Sequence, residues 1–102
     1  MKTVYKYKLE EGGLISAIFK KEDILHVGYD ANNNPSFWAL VNTDDDASTG
    51  RCRIFQIGTG WDLDELEHIF EVKFTDENYL GTLKDGPYIW HYFIEFLEEE
   101  EQ

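Results

Sequence analysis

Apolar and polar residues alternate with a period of two along most of this chain, and turn-forming residues interrupt the alternation roughly every ten positions. Alternation of this kind places successive side chains on opposite faces of a strand. The predicted strands cover residues 3–9, 14–19, 24–29, 37–42, 51–57, 79–83 and 87–96. Val72 and Phe74 indicate the start of a further short strand. We therefore predict an all-β fold, a mostly antiparallel sandwich or partly closed barrel of about six to eight strands.

The alternation also assigns the core face of each predicted strand. In the final strand one face is aromatic and apolar; its members are Tyr88, Trp90, Tyr92, Ile94 and Phe96. His91 and Glu95 point to the opposite face. In the third strand the same rule places Leu25, Val27 and Tyr29 together. We expect these apolar sets to form the core.

One segment breaks the strand pattern and predicts a short helix over residues 62–70. Asp62 is a suitable N-cap, and Glu65 follows three residues later, as in a capping box. Leu63, Leu66 and Phe70 then recur at helical spacing. We expect this helix to pack one apolar face on the sheet.

A chain of 102 residues has the usual size of one domain. We assign residues 1–97 to a single β-rich domain and residues 98–102 to an acidic C-terminal tail. Cys52 is the single cysteine, so no disulfide forms within the chain, which favours a reducing cytoplasm. Alternation sends Cys52 to the face opposite Arg51 and Arg53, and we interpret it as a core residue.

Negative charge is the strongest compositional feature, with 21 acidic and 9 basic residues. Residues 1–21 carry a net charge of +3 and the rest of the chain −15. This potential repels phosphate backbones and anionic membranes, so we expect neither nucleic acid nor membrane as a direct partner. We predict instead a protein partner with a basic surface. The acidic residues predicted to meet it are Asp44, Asp45, Asp46, Asp62, Asp64, Glu65 and the run Glu98 to Glu101.

A glycine turn before the predicted helix indicates an alternative ligand site. Gly58, Thr59 and Gly60 offer backbone amides near a helix N-terminus, and Trp61 offers a stacking surface. Arg51, Arg53 and the N-terminal lysines would supply charge for phosphates. The alternative function is therefore a sponge for a nucleotide signal, acting as a homo-oligomer. Against it, the helix acids compete for the same dipole, and a turn with Trp61 packed across it explains the same residues.

Catalytic and metal-binding patterns are weak. His26, His68 and His91 fall on three separate elements, and the pair formed by Glu65 and His68 has no further partner in sequence. We predict no metal, no cofactor and no catalytic residues. An uncharacterised enzyme is the third function we consider.

Several short motifs occur in one order along the chain: Met1 to Leu9, Phe37 to Asn42, Gly58-Thr59-Gly60, Tyr79 to Leu83 and Ile89 to Phe93. Together they resemble a family of small uncharacterised bacteriophage and prophage proteins. The segment from Gly60 to Tyr79 is longer than in that family. The resemblance implies a phage origin and a location in the bacterial host cytoplasm, and it transfers no catalytic residue. The favoured function is a non-enzymatic phage accessory protein that binds and inhibits a host defence or nucleic-acid-handling protein through its acidic surface.

Overall fold

A computed structural model of the chain describes residues 1–44 and 50–97. The strands are β1 (Lys2–Lys8), β2 (Leu14–Ser16), β3 (Ile24–Tyr29), β4 (Pro35–Asn42), β5 (Arg51–Gly58), β6 (Tyr79–Asp85) and β7 (Tyr88–Leu97). One α-helix, α1 (Leu63–Phe70), follows β5, and a 3₁₀ turn (Lys21–Asp23) precedes β3. The tail predicted at 98–102 lies outside the described residues, as do Asp45 and Asp46.

The strands form two antiparallel sheets. Sheet A has the order β1-β4-β3, and sheet B has the order β2-β5-β7-β6. Apolar side chains from both sheets share one buried cluster, so the sheets pack face to face as a sandwich. The all-β prediction with one short helix is confirmed. Within the described part of the chain the sheets do not close into a barrel.

The inner core lies between the two sheets. Sheet A contributes Phe37, Ala39 and Val41, the alternate residues of its central strand. Sheet B contributes an apolar face whose buried members are Cys52, Ile54, Tyr92 and Ile94. Burial raises the pKa of the Cys52 thiol to about 11. The predicted core position of Cys52, opposite Arg51 and Arg53, is confirmed.

Helix α1 covers part of the outer face of sheet B and creates a second core. The Asp62 side chain accepts a hydrogen bond from the Glu65 amide at 3.2 Å, so the predicted N-cap is confirmed. Leu63 and Leu66 pack on the sheet. The buried residues beneath them are Phe55, Ile57, Val72, Phe74 and Phe93. The helix therefore buries the alternate residues that the inner core does not use.

The short strand predicted at Val72 and Phe74 is wrong. These side chains are buried in the second core, but their backbone belongs to an irregular segment after the helix. Glu71 caps the helix in the left-handed conformation, and the Phe74 amide donates to the Glu67 carboxylate at 2.7 Å. The Glu67 carboxylate thus accepts the hydrogen bond that the backbone of a neighbouring strand would otherwise accept. Val72 and Phe74 are spaced two residues apart because both pack on the sheet, not because their backbone forms a strand.

Two core assignments also differ from the prediction. A β-bulge between Ile24 and His26 shifts the alternation of β3, so Ile24 packs inward and Leu25 is 54% exposed. The inward stripe of β7 is buried only at its centre, because Tyr88 at one end is 61% exposed. The second strand also ends at Ser16 rather than at residue 19. Period-two patterning predicted the strands, but not where each one is covered.

Candidate binding site

Helix α1 leaves part of the outer face of sheet B uncovered, and a groove of about 320 Å³ lies there. Ile57 and Phe93, on the same face as the second core, line it together with Leu63 at the start of the helix. The turn formed by Gly58–Trp61 borders it at the end of β5. Strand β6 completes it. The groove is therefore a gap between the helix and the edge strand of sheet B.

A chain of hydrogen bonds crosses this groove, and we call it the hydroxyl–imidazole chain. Thr59 Oγ1 lies 2.6 Å from Nε2 of His91, and Thr82 Oγ1 lies 2.8 Å from Nδ1 of the same ring. The hydroxyl of Tyr79 is hydrogen-bonded to Thr82 Oγ1. Thr82 and His91 are register partners in neighbouring strands, so their side chains share one face. Both ring nitrogens of His91 thus have a hydroxyl partner.

Gly58 allows Trp61 to fold back over the end of β5. A Cβ atom at position 58 would lie 2.5 Å from Nε1 of Trp61, which no real side chain tolerates. Gly60 has a φ of +88°, in the left-handed region that favours glycine, and it turns the chain toward the helix. The two glycines therefore have distinct roles, one in close approach and one in the turn. The predicted alternative, a turn with Trp61 packed across it, describes this geometry.

Trp61 and three residues of β7 form a partly solvent-exposed apolar surface. We call it the aromatic patch; its members are Trp61, Tyr88, Ile89 and Trp90. Trp61 is 49% exposed, Tyr88 61% and Ile89 38%. The ring of Trp90 meets that of Trp61 edge to face at 5.9 Å and stacks on Tyr88 at 5.9 Å. The patch borders the groove, and Trp61 belongs to both.

The acidic residues predicted as a partner surface form separate groups. Asp62, Asp64 and Glu65 lie next to Trp61 in the first turn of α1, where all three are exposed. Asp44 lies beyond the end of β4 and pairs with the N-terminal ammonium of Met1.

Contacts between the two sheets show how far apart these groups are. The Tyr29 hydroxyl donates to the Lys84 carbonyl at 2.5 Å, which fixes the Pro35 end of β4 beside the β6–β7 hairpin. A strand rises about 3.3 Å per residue, so Asn42 lies about 20 Å from that end. Helix α1 begins at the hairpin end of sheet B, because Gly58 pairs with Trp90. The structure therefore brings Asp62, Asp64 and Glu65 together, and it separates Asp44 from them.

The two arginines of the predicted nucleotide site lie away from the glycine turn. Arg53 forms an ion pair with Glu95 at 2.6 Å, and its guanidinium carbon lies 4.8 Å from the centre of the Phe55 ring. Five residues of β5 separate it from Gly58, about 17 Å of extended chain. Arg51 is exposed at the start of the same strand. Neither side chain lines the groove.

The three histidines occupy separate surroundings. His26 packs against Trp38 on the outer face of sheet A at 5.6 Å between ring centres. His68 is exposed on α1, and His91 lies in the groove. In residues 1–44 and 50–97, no three His, Cys, Asp or Glu side chains are close enough together to hold a metal ion.

The sequence interpretation missed the role of His91. Alternation placed it correctly on the face opposite the aromatic stripe, but its partners Thr59 and Thr82 come from a turn and from another strand. Only the register between β6 and β7 reveals Thr82 beside it. The available signal was a histidine and a threonine on the outer faces of strands joined by a short hairpin.

The fold and the groove together define the structural class: a two-sheet β-sandwich with a helix on the outer face of one sheet and a groove at the edge of that helix. A family model described as "Domain of unknown function (DUF7352)" matches residues 1–102, and the chain belongs to this family. Comparisons with the curated proteins and with the solved structures gave no match. In the part of the chain that the structure describes, no helix is long and apolar enough to span a membrane.

Proposed function

We propose that this protein is a non-enzymatic binding module that engages another protein through the aromatic patch and the acids beside it. The observation that carries the proposal is the exposure of Trp61 and Tyr88, whose rings both contact the ring of Trp90. Large aromatic side chains dominate the energetics of protein interfaces, where they become buried at the centre of the contact. An exposed apolar patch with a polar rim is typical of a surface that a partner protein covers.

The charge around the patch indicates the chemistry of the partner. Asp62, Asp64 and Glu65 lie on the helix side, and Asp85 lies on the hairpin, opposite Tyr88 in the strand register. A charged rim around an apolar centre accelerates association with a surface of opposite sign and excludes wrong partners. We therefore expect a partner with lysine or arginine residues around an apolar contact.

The finer form of the proposal is a phage accessory protein that inhibits a host defence or nucleic-acid-handling protein in the bacterial cytoplasm. Two features support it: the resemblance of the sequence motifs to small phage proteins and the net charge of −12. Proteins that handle nucleic acid carry basic surfaces, which an acidic ligand of this size would occupy. Asp44, beyond the end of β4, would extend such a contact along a second side.

The hydroxyl–imidazole chain favours binding over turnover. Thr59 and His91 resemble a nucleophile and its general base at 2.6 Å. In serine-type catalysis, however, a carboxylate on the far ring nitrogen stabilises the imidazolium that forms. Here that nitrogen contacts the neutral hydroxyl of Thr82. The chain is suited to holding a polar group in place.

A nucleotide-binding homo-oligomer is the second candidate, and the groove beside Trp61 is the observation that favours it. Native mass spectrometry and thermal-shift measurements with cyclic and adenine-derived nucleotides test it directly. A ligand-dependent rise in the melting temperature of an oligomer is the expected result for a sponge. A monomer whose melting temperature does not change removes this candidate.

Affinity purification from bacterial lysate with matched variants tests the main proposal. One variant removes the centre of the patch (Trp61→Ala with Tyr88→Ala), and another reverses the charge beside it (Asp64→Lys with Glu65→Lys). We expect both variants to lose a protein that the wild type retains, and the charge-reversed variant to show less dependence on salt.

The controls carry comparable changes at exposed positions away from the patch. Tyr5→Ala removes one exposed aromatic ring on sheet A, and Glu22→Lys with Asp76→Lys matches the charge reversal. These controls should retain the same protein as the wild type. Equal recovery by all variants, or loss in the controls as well, would rule out the patch as the binding surface.

A further inference from the structure

We infer that the groove crossed by the hydroxyl–imidazole chain is a binding site for an uncharged sugar unit, next to the aromatic patch of the protein-binding proposal. Three properties of the groove lead to this ligand class: the count of its hydroxyl protons, the charge of its lining and its size with one aromatic wall.

The first property is a surplus proton. The chain joins three hydroxyl groups and one imidazole, and in the neutral form of the imidazole they carry four protons for three hydrogen bonds. If Nε2 of His91 carries the ring proton, it donates to Thr59, and the Thr59 hydroxyl is left free to donate outward. If Nδ1 carries the ring proton, Nδ1 donates to Thr82, Thr82 donates to Tyr79, and Thr59 donates to Nε2. The Tyr79 hydroxyl is then the group left free to donate outward.

In both arrangements one end of the chain offers a donor and the other end offers an acceptor. Thr59 and Tyr79 line the same groove, so one ligand can meet both ends. Sugar hydroxyls both donate and accept, and adjacent ones on a ring suit either direction of the chain. An anion accepts hydrogen bonds but does not donate them, so it satisfies only one end.

The second property is charge. The groove is lined by apolar, hydroxyl and glycine residues together with the imidazole of His91. Asp62, Asp64 and Glu65 lie just outside it at the helix start. Negative charge next to an uncharged lining disfavours phosphates and carboxylates. It does not disfavour a neutral polyhydroxylated ring.

The third property is shape. The groove has a volume of about 320 Å³, at the small end of the range of roughly 300–1,000 Å³ for ligand pockets. Tyr79 forms one wall: its ring packs on that of Phe93 with 5.5 Å between ring centres, and it is 36% exposed. A sugar ring has an apolar C–H face that packs on an aromatic ring while its hydroxyls bind polar groups at its edge. A single sugar unit fits these dimensions.

The test is titration of the intact protein with methyl glycosides of glucose, galactose and N-acetylglucosamine, followed by tryptophan fluorescence and ¹⁵N NMR of the His91 ring. We expect a saturable change in fluorescence and a shift of His91 toward one tautomer on binding. Thr59→Val and Tyr79→Phe each remove one end of the chain and should weaken binding about fivefold or more. The matched variants Thr43→Val and Tyr5→Phe should bind as the wild type does.

Three results would overturn the inference. They are the absence of a saturable response to every glycoside, binding of adenosine without binding of any glycoside, and unchanged affinity in Thr59→Val and Tyr79→Phe. Circular dichroism of each variant verifies that it is folded. Tyr79 lines the groove but not the aromatic patch, so capture of a protein partner should be unaffected by Tyr79→Phe. Failure of this site and failure of the protein-binding proposal are therefore separate results.

Discussion

The two faces of sheet B are built from the same strands and have opposite properties. On the inner face Cys52, Ile54 and Ile94 are buried against sheet A. On the outer face the helix buries Phe55 and Phe93, and beyond the helix the polar chain around His91 reaches the surface. One face is covered along most of its length by a full sheet. The other is covered by a two-turn helix that is too short for it.

This difference shows on which face of sheet B polar side chains can remain free to bind a ligand without destabilising the fold. A polar group on the inner face must find its partner inside the protein, as Tyr92 does by donating to Gln56 at 3.1 Å. Thr59 and Tyr79 on the open part of the outer face keep a hydroxyl available to a ligand. The uncovered end of sheet B is therefore the place where a change of side chain alters binding more than folding.

The largest effect should come from the inner face. Ile54→Ala leaves a cavity between the sheets, and we expect a loss of about 2–5 kcal/mol in the free energy of unfolding. Thr82→Val, on the open part of the outer face, should change stability by only about 1 kcal/mol. Chemical denaturation of both variants measures the difference. Equal losses would mean that the two faces do not differ as the structure indicates.

Gly58→Ala should have the next largest effect and should act at the boundary between the faces. The new methyl group displaces the Trp61 indole, and we expect a cost of about 1–3 kcal/mol together with a changed tryptophan fluorescence spectrum. Gly13→Ala is the control, because the nearest atom to a Cβ there is 3.6 Å away. If Gly58→Ala leaves both signals unchanged, the close approach of Trp61 to the strand is wrong.

Substitutions of Asp62, the N-cap of α1, test how much the helix that covers the outer face contributes to stability. Asp62→Ala removes the acceptor for the Glu65 amide and should lower stability by about 1 kcal/mol. Asp62→Asn keeps a capping oxygen and should recover most of the loss while removing the charge. Thermal unfolding of the pair separates capping from charge. An equal loss in both variants would assign the effect to charge instead.

The last prediction concerns the pH dependence of stability that Cys52 causes, which appears only in alkali. Its pKa is raised to about 11 in the folded protein, whereas an unfolded cysteine ionises near pH 8.5. The neutral thiol therefore favours the folded state fully below about pH 8.5, and this contribution is lost as the pH rises toward about 11. Unfolding free energies of wild type and Cys52→Ala should converge over that interval. A difference in unfolding free energy between the two proteins that stays constant from pH 7 to 10 would contradict the burial of the Cys52 thiol.

The accuracy of the sequence predictions varied with how local each feature is. The Asp62 cap and the helix after it depend on residues within one turn, and they were predicted correctly. The strand at Val72 and Phe74 was wrong because apolar spacing indicates burial and does not distinguish a paired strand from a segment anchored by Glu67. Leu25 was wrong because a bulge adds one residue to the strand, and a period-two rule cannot detect it.

The amino-acid sequence by itself determined the β class, the approximate positions of seven strands, the helix with its cap and the burial of Cys52, since each follows from the order of neighbouring residues. The tertiary structure alone decided that Thr59, Tyr79, Thr82 and His91 meet in one groove and that Arg53 does not join them. Those relations depend on strand register and sheet order. Register joins residues that are distant in the chain, and it is set by the patterns of both paired strands together with the turn between them, so the residues of one strand do not determine it alone.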